Sequence, residues 1–120
     1  MANDAFIKQL LATIDARDAK AFAGFLTSDA TFRFGNHPAV LGREAIEATV
    51  GNFLRAIKSV SHALEEQWSL PDVVICTGMV TYTRHDGGTL RVPFANILKL
   101  RPAGIYDYRI FVDNSALFAP

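Results

Sequence analysis

Apolar residues recur at helical spacing over the first part of the chain and at every second position over its second half, with a mixed stretch between. Phe6, Ile7, Leu10, Leu11 and Ile14 fall on one side of a helix predicted from Asp4 to Ala16, with Asn3 or Asp4 as its N-cap. A second, short helix is predicted after Asp18, itself a natural cap, and buries Phe22, Phe25 and Leu26. Gly42 opens a third helix, from about Arg43 to Ile57, with Ile46, Val50, Phe53, Leu54 and Ile57 on its apolar side. Gly51 lies inside that helix and weakens it by about 1 kcal/mol relative to alanine.

Between the second and third helices, the segment from Asp29 to Ile46 reads as a strand, a turn-rich loop and the Gly-led start of a helix. Its strand alternates Phe32 and Phe34 with Thr31 and Arg33, so both rings share one face. From Ser59 the period changes to two. Val60, His62, Leu64, Glu66 and Trp68 alternate with more polar neighbours as far as Ser69. Leu70-Pro71-Asp72 turns the chain, since proline fixes its own φ and disfavours helix before it. Strands are predicted over Val73–Arg84, Leu90–Leu100 and Ile105–Asp113, joined by turns at His85-Asp86-Gly87-Gly88 and Arg101-Pro102-Ala103-Gly104. Three helices, one early strand and a four-stranded meander predict an α+β fold, with a sheet curled over the helices.

The 120 residues suit one domain spanning 1–120, long enough to bury a core without staples. Twelve basic and twelve acidic residues cancel, which gives no electrostatic reason to expect nucleic acid or an anionic membrane as partner. No run approaches the ~18 apolar residues of a membrane span. The N-terminus lacks the basic-then-apolar order of a secretory signal. Cys76 is the only cysteine, so it forms no internal disulfide, and it matches no metal-ligand spacing. The expectation is a cytoplasmic protein with neither metal nor cofactor.

Strand parity selects the candidate chemistry. Phe94, Asn96, Leu98 and Leu100 share the core face of their strand, while Lys99 and Arg101 face water. Asn96 is the odd member of that face, and a buried amide without partners costs roughly 1–3 kcal/mol. Tyr108 lies on the inner face of the last strand with Ile110 and Val112, opposite Arg109, Phe111 and Asp113. His37, in the loop after the early strand, is a candidate general base, as is His62 on the face of Val60, Leu64 and Trp68. The plainer readings are an exposed loop residue for His37 and a hydrogen-bonded structural residue for His62. His85 reads as surface and Cys76 as a small buried hydrophobe. Glu66 reads as a pocket carboxylate or as a strand-end residue reaching water. Trp68, Tyr82 and Tyr108 each pair an apolar ring with a polar tip, and line a cavity or simply pack the core.

The paired N-terminal helices, DATFRFGNHPAVLGREAI, YTRHDGGTLRVPFANILKL and IYDYRIFVD, taken in that order and spacing, resemble the nuclear transport factor 2-like superfamily, and most of all its SnoaL-like branch. The resemblance covers nearly the whole chain. It implies a cone-shaped, strongly curved, mostly antiparallel sheet wrapped over three N-terminal helices and enclosing a pocket, with pairing into a homodimer through the outer sheet face. Relatives include ketosteroid isomerase, scytalone dehydratase, limonene epoxide hydrolase and polyketide cyclases, together with non-enzymatic binders. The position of the isomerase's aspartate base is Phe34 here, its tyrosine donor falls near Leu10, and its protonated aspartic acid falls at Asn96. The epoxide hydrolase's last-strand aspartate falls at Ile110, and its other two catalytic groups find no match around Met79–Thr81. Neither standard mechanism is expected, although Asn96 retains a donor for a developing oxyanion.

The resulting expectation is a pocket for a small hydrophobic or amphipathic molecule. Phe32, Phe34, Phe53, Trp68, Tyr82, Asn96 and Tyr108 line it, with His37, His62, Asn96 and Tyr108 as candidate catalytic groups. Three readings stay open: an isomerase, dehydratase or cyclase; a non-catalytic binder; and a structural dimer module.

Overall fold

Helix periodicity at the N-terminus gives two helices that, with a third after the first strands, pack on a sheet built from the chain after Gly24. The structure, a computed structural model, describes the backbone of residues 2–119 and the side chains of residues 5–119. Helix α1 spans Ala2–Asp15, α2 Ala19–Ala23 and α3 Arg43–Ala56. Strands are β1 Leu26–Phe34, β2 Val40–Leu41, β3 Ser59–Ser69, β4 Val73–Thr83, β5 Thr89–Arg101 and β6 Gly104–Val112. Asn3 and Asp4 lie inside the first turn of α1 rather than before it, and their side chains fall outside the described residues. Asp18 caps α2 as expected, its Oδ1 accepting from the Ala21 N–H at 3.0 Å.

The sheet runs β2-β1-β6-β5-β4-β3. All neighbours are antiparallel except β1 and β6. The sheet curls over the helices without closing, since β2 and β3 remain as its two edges. The two-residue β2, read from sequence as loop, pairs Val40 with Phe32 and Leu41 with Thr31. Phe22 from α2, Ile46 and Leu54 from α3, and Leu98 and Tyr108 from the sheet are all buried in one core.

Two local irregularities set what faces that core. Helix α1 ends with Arg17 in the left-handed region, at φ 63°. The Asp18 N–H reaches Thr13 O and the Arg17 N–H reaches Ile14 O, both at 2.9 Å, which is the Schellman pattern. Arginine is an unusual residue there. Its guanidinium offsets the backbone cost by donating to Ile57 O at 2.7 Å and Lys58 O at 2.8 Å, tying the α1–α2 turn to the end of α3.

The second irregularity is a bulge in β3. Leu64 pairs with Gly78, but Glu66 pairs with Thr77, so Glu65 is an extra residue. A Cβ on Gly78 would lie 2.1 Å from the Ala63 carbonyl oxygen, so this close approach requires glycine. The alternation that places His62 and Leu64 inward is therefore reversed beyond the bulge. Glu66 and Trp68 point to the outer side, and Trp68 is 49% exposed. The sequence-based expectation that Trp68 lines the pocket is corrected, because strict period-two parity fails across an inserted residue.

Candidate functional site

Between the inner sheet face and the helices lies a cavity of about 70 Å³. Its wall combines Leu11 and Ile14 of α1, Thr49, Phe53 and Leu54 of α3, and Phe22 of α2 with inward residues of the sheet. Of the residues expected to line it, Phe32, Phe34, Phe53, Tyr82, Asn96 and Tyr108 do so, and His62 joins them. Trp68 and His37 do not. His37 is exposed and stacks on Phe34 with ring centroids 5.9 Å apart, so the loop that carries it covers the outside of that ring. The plainer reading of His37 therefore holds.

Aromatic and aliphatic side chains share the wall. Phe22, Phe32 and Tyr108 meet in a triangle of tilted and edge-on contacts at 5.3–6.0 Å. Phe34 meets Phe53 edge-on at 5.1 Å, and Phe53 meets Tyr82 at 5.8 Å. Edge-to-face pairs of this kind fix ring orientation as well as burying area. Burial pushes the Tyr82 hydroxyl up to about 12, partly offset by its hydrogen bond with Asn114. Burial raises Tyr108 further, with the neighbouring Cys76 adding to the effect.

Besides Thr49 and Tyr82, three polar side chains interrupt this surface. Asn96 is 2% exposed, and its Oδ1 has no hydrogen-bond partner among the described residues. His62 reaches the wall from β3, packing edge-on to Phe94 at 5.3 Å. Its Nδ1 lies 2.6 Å from Asp15 Oδ1, and its backbone N–H donates to Asp15 Oδ2 at 3.1 Å. A carboxylate acceptor fixes the proton of a neutral imidazole on Nδ1, leaving Nε2 as the basic nitrogen. Tyr108 supplies the third group, its hydroxyl held neutral well above ordinary pH by the burial just described.

Asp15 was not singled out from the sequence. One signal was present: it is the last residue of α1, where the negative end of the helix dipole disfavours a carboxylate. A local penalty of that sign calls for a compensating donor, and two arrive from His62, 47 residues away. Among the described residues no group of His, Cys, Asp and Glu is placed to hold a metal ion. Cys76 is buried, with its thiol pushed up to about 11 by that burial. His85 is exposed, its Nε2 2.9 Å from the Arg55 carbonyl oxygen.

The outer sheet face is different in character. Asp107 lies 3.4 Å from Arg109 and 3.8 Å from Lys99, and Arg101 stacks over Tyr106. Phe111 is 53% exposed on the same side. No helix among the described residues is long and apolar enough to cross a membrane.

The fold has clear counterparts. A hypothetical protein with a ketosteroid isomerase-like fold from Catenulispora acidiphila, solved in complex with trimethylamine, superposes with a TM-score of 0.84 at 17% identity, over 94% of this chain and 88% of its own. TerC co-crystallised with polyporic acid gives 0.81 at 18% identity over 98% and 95%. A putative SnoaL-like polyketide cyclase from Jannaschia gives 0.78 at 17% identity over 95% and 92%. At such identities the likeness establishes the fold alone. No curated protein shows significant sequence similarity. The SnoaL-like domain family, however, matches residues 7–108, from the first core residue of α1 to the inward tyrosine of β6, and the chain belongs to that family.

Proposed function

We propose that the cavity binds a small amphipathic molecule and that His62 acts on it as a general base, in a cofactor-independent isomerase, dehydratase or cyclase reaction. The observation that carries this reading is the Asp15–His62 pair at the wall of a cavity that also holds the unpartnered amide of Asn96. Asp15 is a positioning residue: it sets the tautomer and ring orientation. His62 Nε2 takes the proton. Asn96, by rotating its amide, supplies N–H donors to the oxyanion that develops, and Tyr108 is a second candidate donor. Crystallisation of two structural relatives with small molecules, trimethylamine and polyporic acid, supports a small-molecule ligand.

The test is carbon-bound deuterium exchange, followed by NMR, for a panel of small carbonyl compounds in heavy water. Wild-type protein is expected to catalyse exchange, with the rate falling at least 100-fold in His62→Gln. Equal rates in both proteins would remove His62 from the chemistry. Absence of exchange, with ligand binding retained, would leave a non-catalytic binder.

A homodimer through the outer sheet face accompanies this reading. Phe111 and Trp68 leave apolar surface exposed on that side of the sheet. Light scattering is expected to give twice 13.2 kDa, reduced to the monomer mass in Phe111→Asp.

A further inference from the structure

We infer that the ligand class suited to this cavity is a small organic ammonium cation, recognised by aromatic rings and the unpartnered Asn96 oxygen. The inference rests on the pocket half of the reading above and not on its catalytic half.

Seven of the wall residues are aromatic, and none among the described lining residues is lysine or arginine. Aromatic faces carry negative quadrupole potential and attract cations within about 6 Å of the ring. Asn96 Oδ1 is an acceptor with nothing to accept from, enclosed at 2% residue exposure. Asp15 Oδ1 lies 2.6 Å from His62 Nδ1, so a carboxylate stands behind that ring at the wall. An anion would find no lysine or arginine among the described lining residues. A neutral hydrocarbon would leave the Asn96 oxygen unsatisfied. A protonated tertiary amine supplies one N–H donor, a diffuse positive charge and apolar methyl groups, matching all three features.

Size narrows the class. A cavity of about 150 Å³ accepts benzene, and this one is about 70 Å³. In proportion, roughly three non-hydrogen atoms fit without movement of the wall, and a fourth needs a small displacement. A larger ligand must displace Phe34 and Phe53, which are only half-buried.

The experiment compares ligands of similar size and different charge by NMR titration of the full chain at matched ionic strength: trimethylammonium chloride, tert-butanol and sodium acetate. Trimethylammonium is expected to shift the His62 and Tyr108 ring resonances, with Kd on the order of millimolar, as so few atoms allow. It is expected to bind roughly tenfold more tightly than tert-butanol, acetate showing no binding. Asp15→Asn should bring the ammonium affinity down to the tert-butanol value. If that variant folds poorly, Asn96→Leu, which removes the unpartnered acceptor, should lower ammonium affinity without improving that of acetate. Tert-butanol binding as tightly as trimethylammonium, or acetate binding more tightly, would overturn the ammonium assignment while leaving the pocket reading intact. Absence of all three from the cavity resonances would overturn both.

Discussion

Asp15 holds His62 at two points, the ring Nδ1 at 2.6 Å and the backbone N–H at 3.1 Å, and so fastens the end of α1 to β3 at the wall of the cavity. The backbone bond fixes where the strand lies, and the ring bond fixes how the imidazole is turned. His62 is therefore presented to the cavity by a helix terminus that would otherwise repel a carboxylate.

Substituting Asp15→Asn should cost about 1–2 kcal/mol in urea unfolding, the range for hydrogen bonds to a charged group at a partly exposed site. Nitrogen-15 spectra of the wild type should show the Nδ1–H tautomer of neutral His62, with a mixture of tautomers in the variant. An Nε2–H tautomer in the wild type would show that the clamp is not formed.

Asn96→Leu should be neutral or stabilising by about 1 kcal/mol, because it removes a buried oxygen that has no partner. Ligand binding at the cavity should fall at the same time. Greater stability with weaker binding is the signature of a polar group kept for a ligand. A loss of 2 kcal/mol or more would instead mark Asn96 as structural.

Two glycines should respond in opposite directions. Gly51, inside α3, has room for a Cβ, whose nearest neighbours would be Arg55 Nη1 at 3.4 Å and the Ala19 Cβ at 3.7 Å. Gly51→Ala should therefore raise stability by about 0.5–1 kcal/mol. Gly78→Ala would push a methyl into the Ala63 carbonyl at the β3 bulge and should cost about 1–3 kcal/mol or prevent folding. Chemical denaturation of the two variants beside the wild type checks both signs.

Alkaline pH should destabilise the fold through three buried acids. The Cys76 thiol rises from 9.0 to about 11 and the Tyr82 hydroxyl from 10.0 to about 12, both through burial, and Tyr108 is raised further. Each binds its proton more tightly folded than unfolded. Their contribution is whole below pH 9 and is lost as pH climbs from there toward 12. Melting temperature should be insensitive to these groups at neutral pH and fall steeply above pH 9. Cys76 should be unreactive toward a thiol reagent at pH 8 until the protein is unfolded.

At the acid end, the hairpin residue Asp86 is held below its ordinary 3.8, first by the Gly88 backbone N–H and then by Arg84. Stability that it contributes is present above that value and disappears as pH falls below it. Asp86→Asn should flatten part of the acid limb of a stability–pH profile, and an unchanged limb would place the hairpin's stability elsewhere.

Periodicity by itself determined the order of the helices and long strands, because helical and strand spacing are local properties of the chain. It missed the two-residue β2 and gave Phe25 and Leu26 to the second helix, where α2 ends at Ala23 and Leu26 begins β1. The Asp18 cap, the Gly42 helix start, the β3 limits Ser59–Ser69 and the inward face of Phe94, Asn96 and Tyr108 all appear as the pattern of residues predicts. So did most of the cavity wall, since alternation on unbroken strands assigns faces without knowledge of partners. Tertiary structure decided the rest. The Glu65 bulge turned Trp68 outward because a single inserted residue reverses parity, and only the pairing with β4 reveals the insertion. Asp15 met His62 because α1 packs across β3, a contact between residues 47 apart that neither local pattern contains. Whether Asn96 found a partner also depended on which side chains three other elements brought within reach. They brought aromatic rings, and left its oxygen without a partner among the described residues.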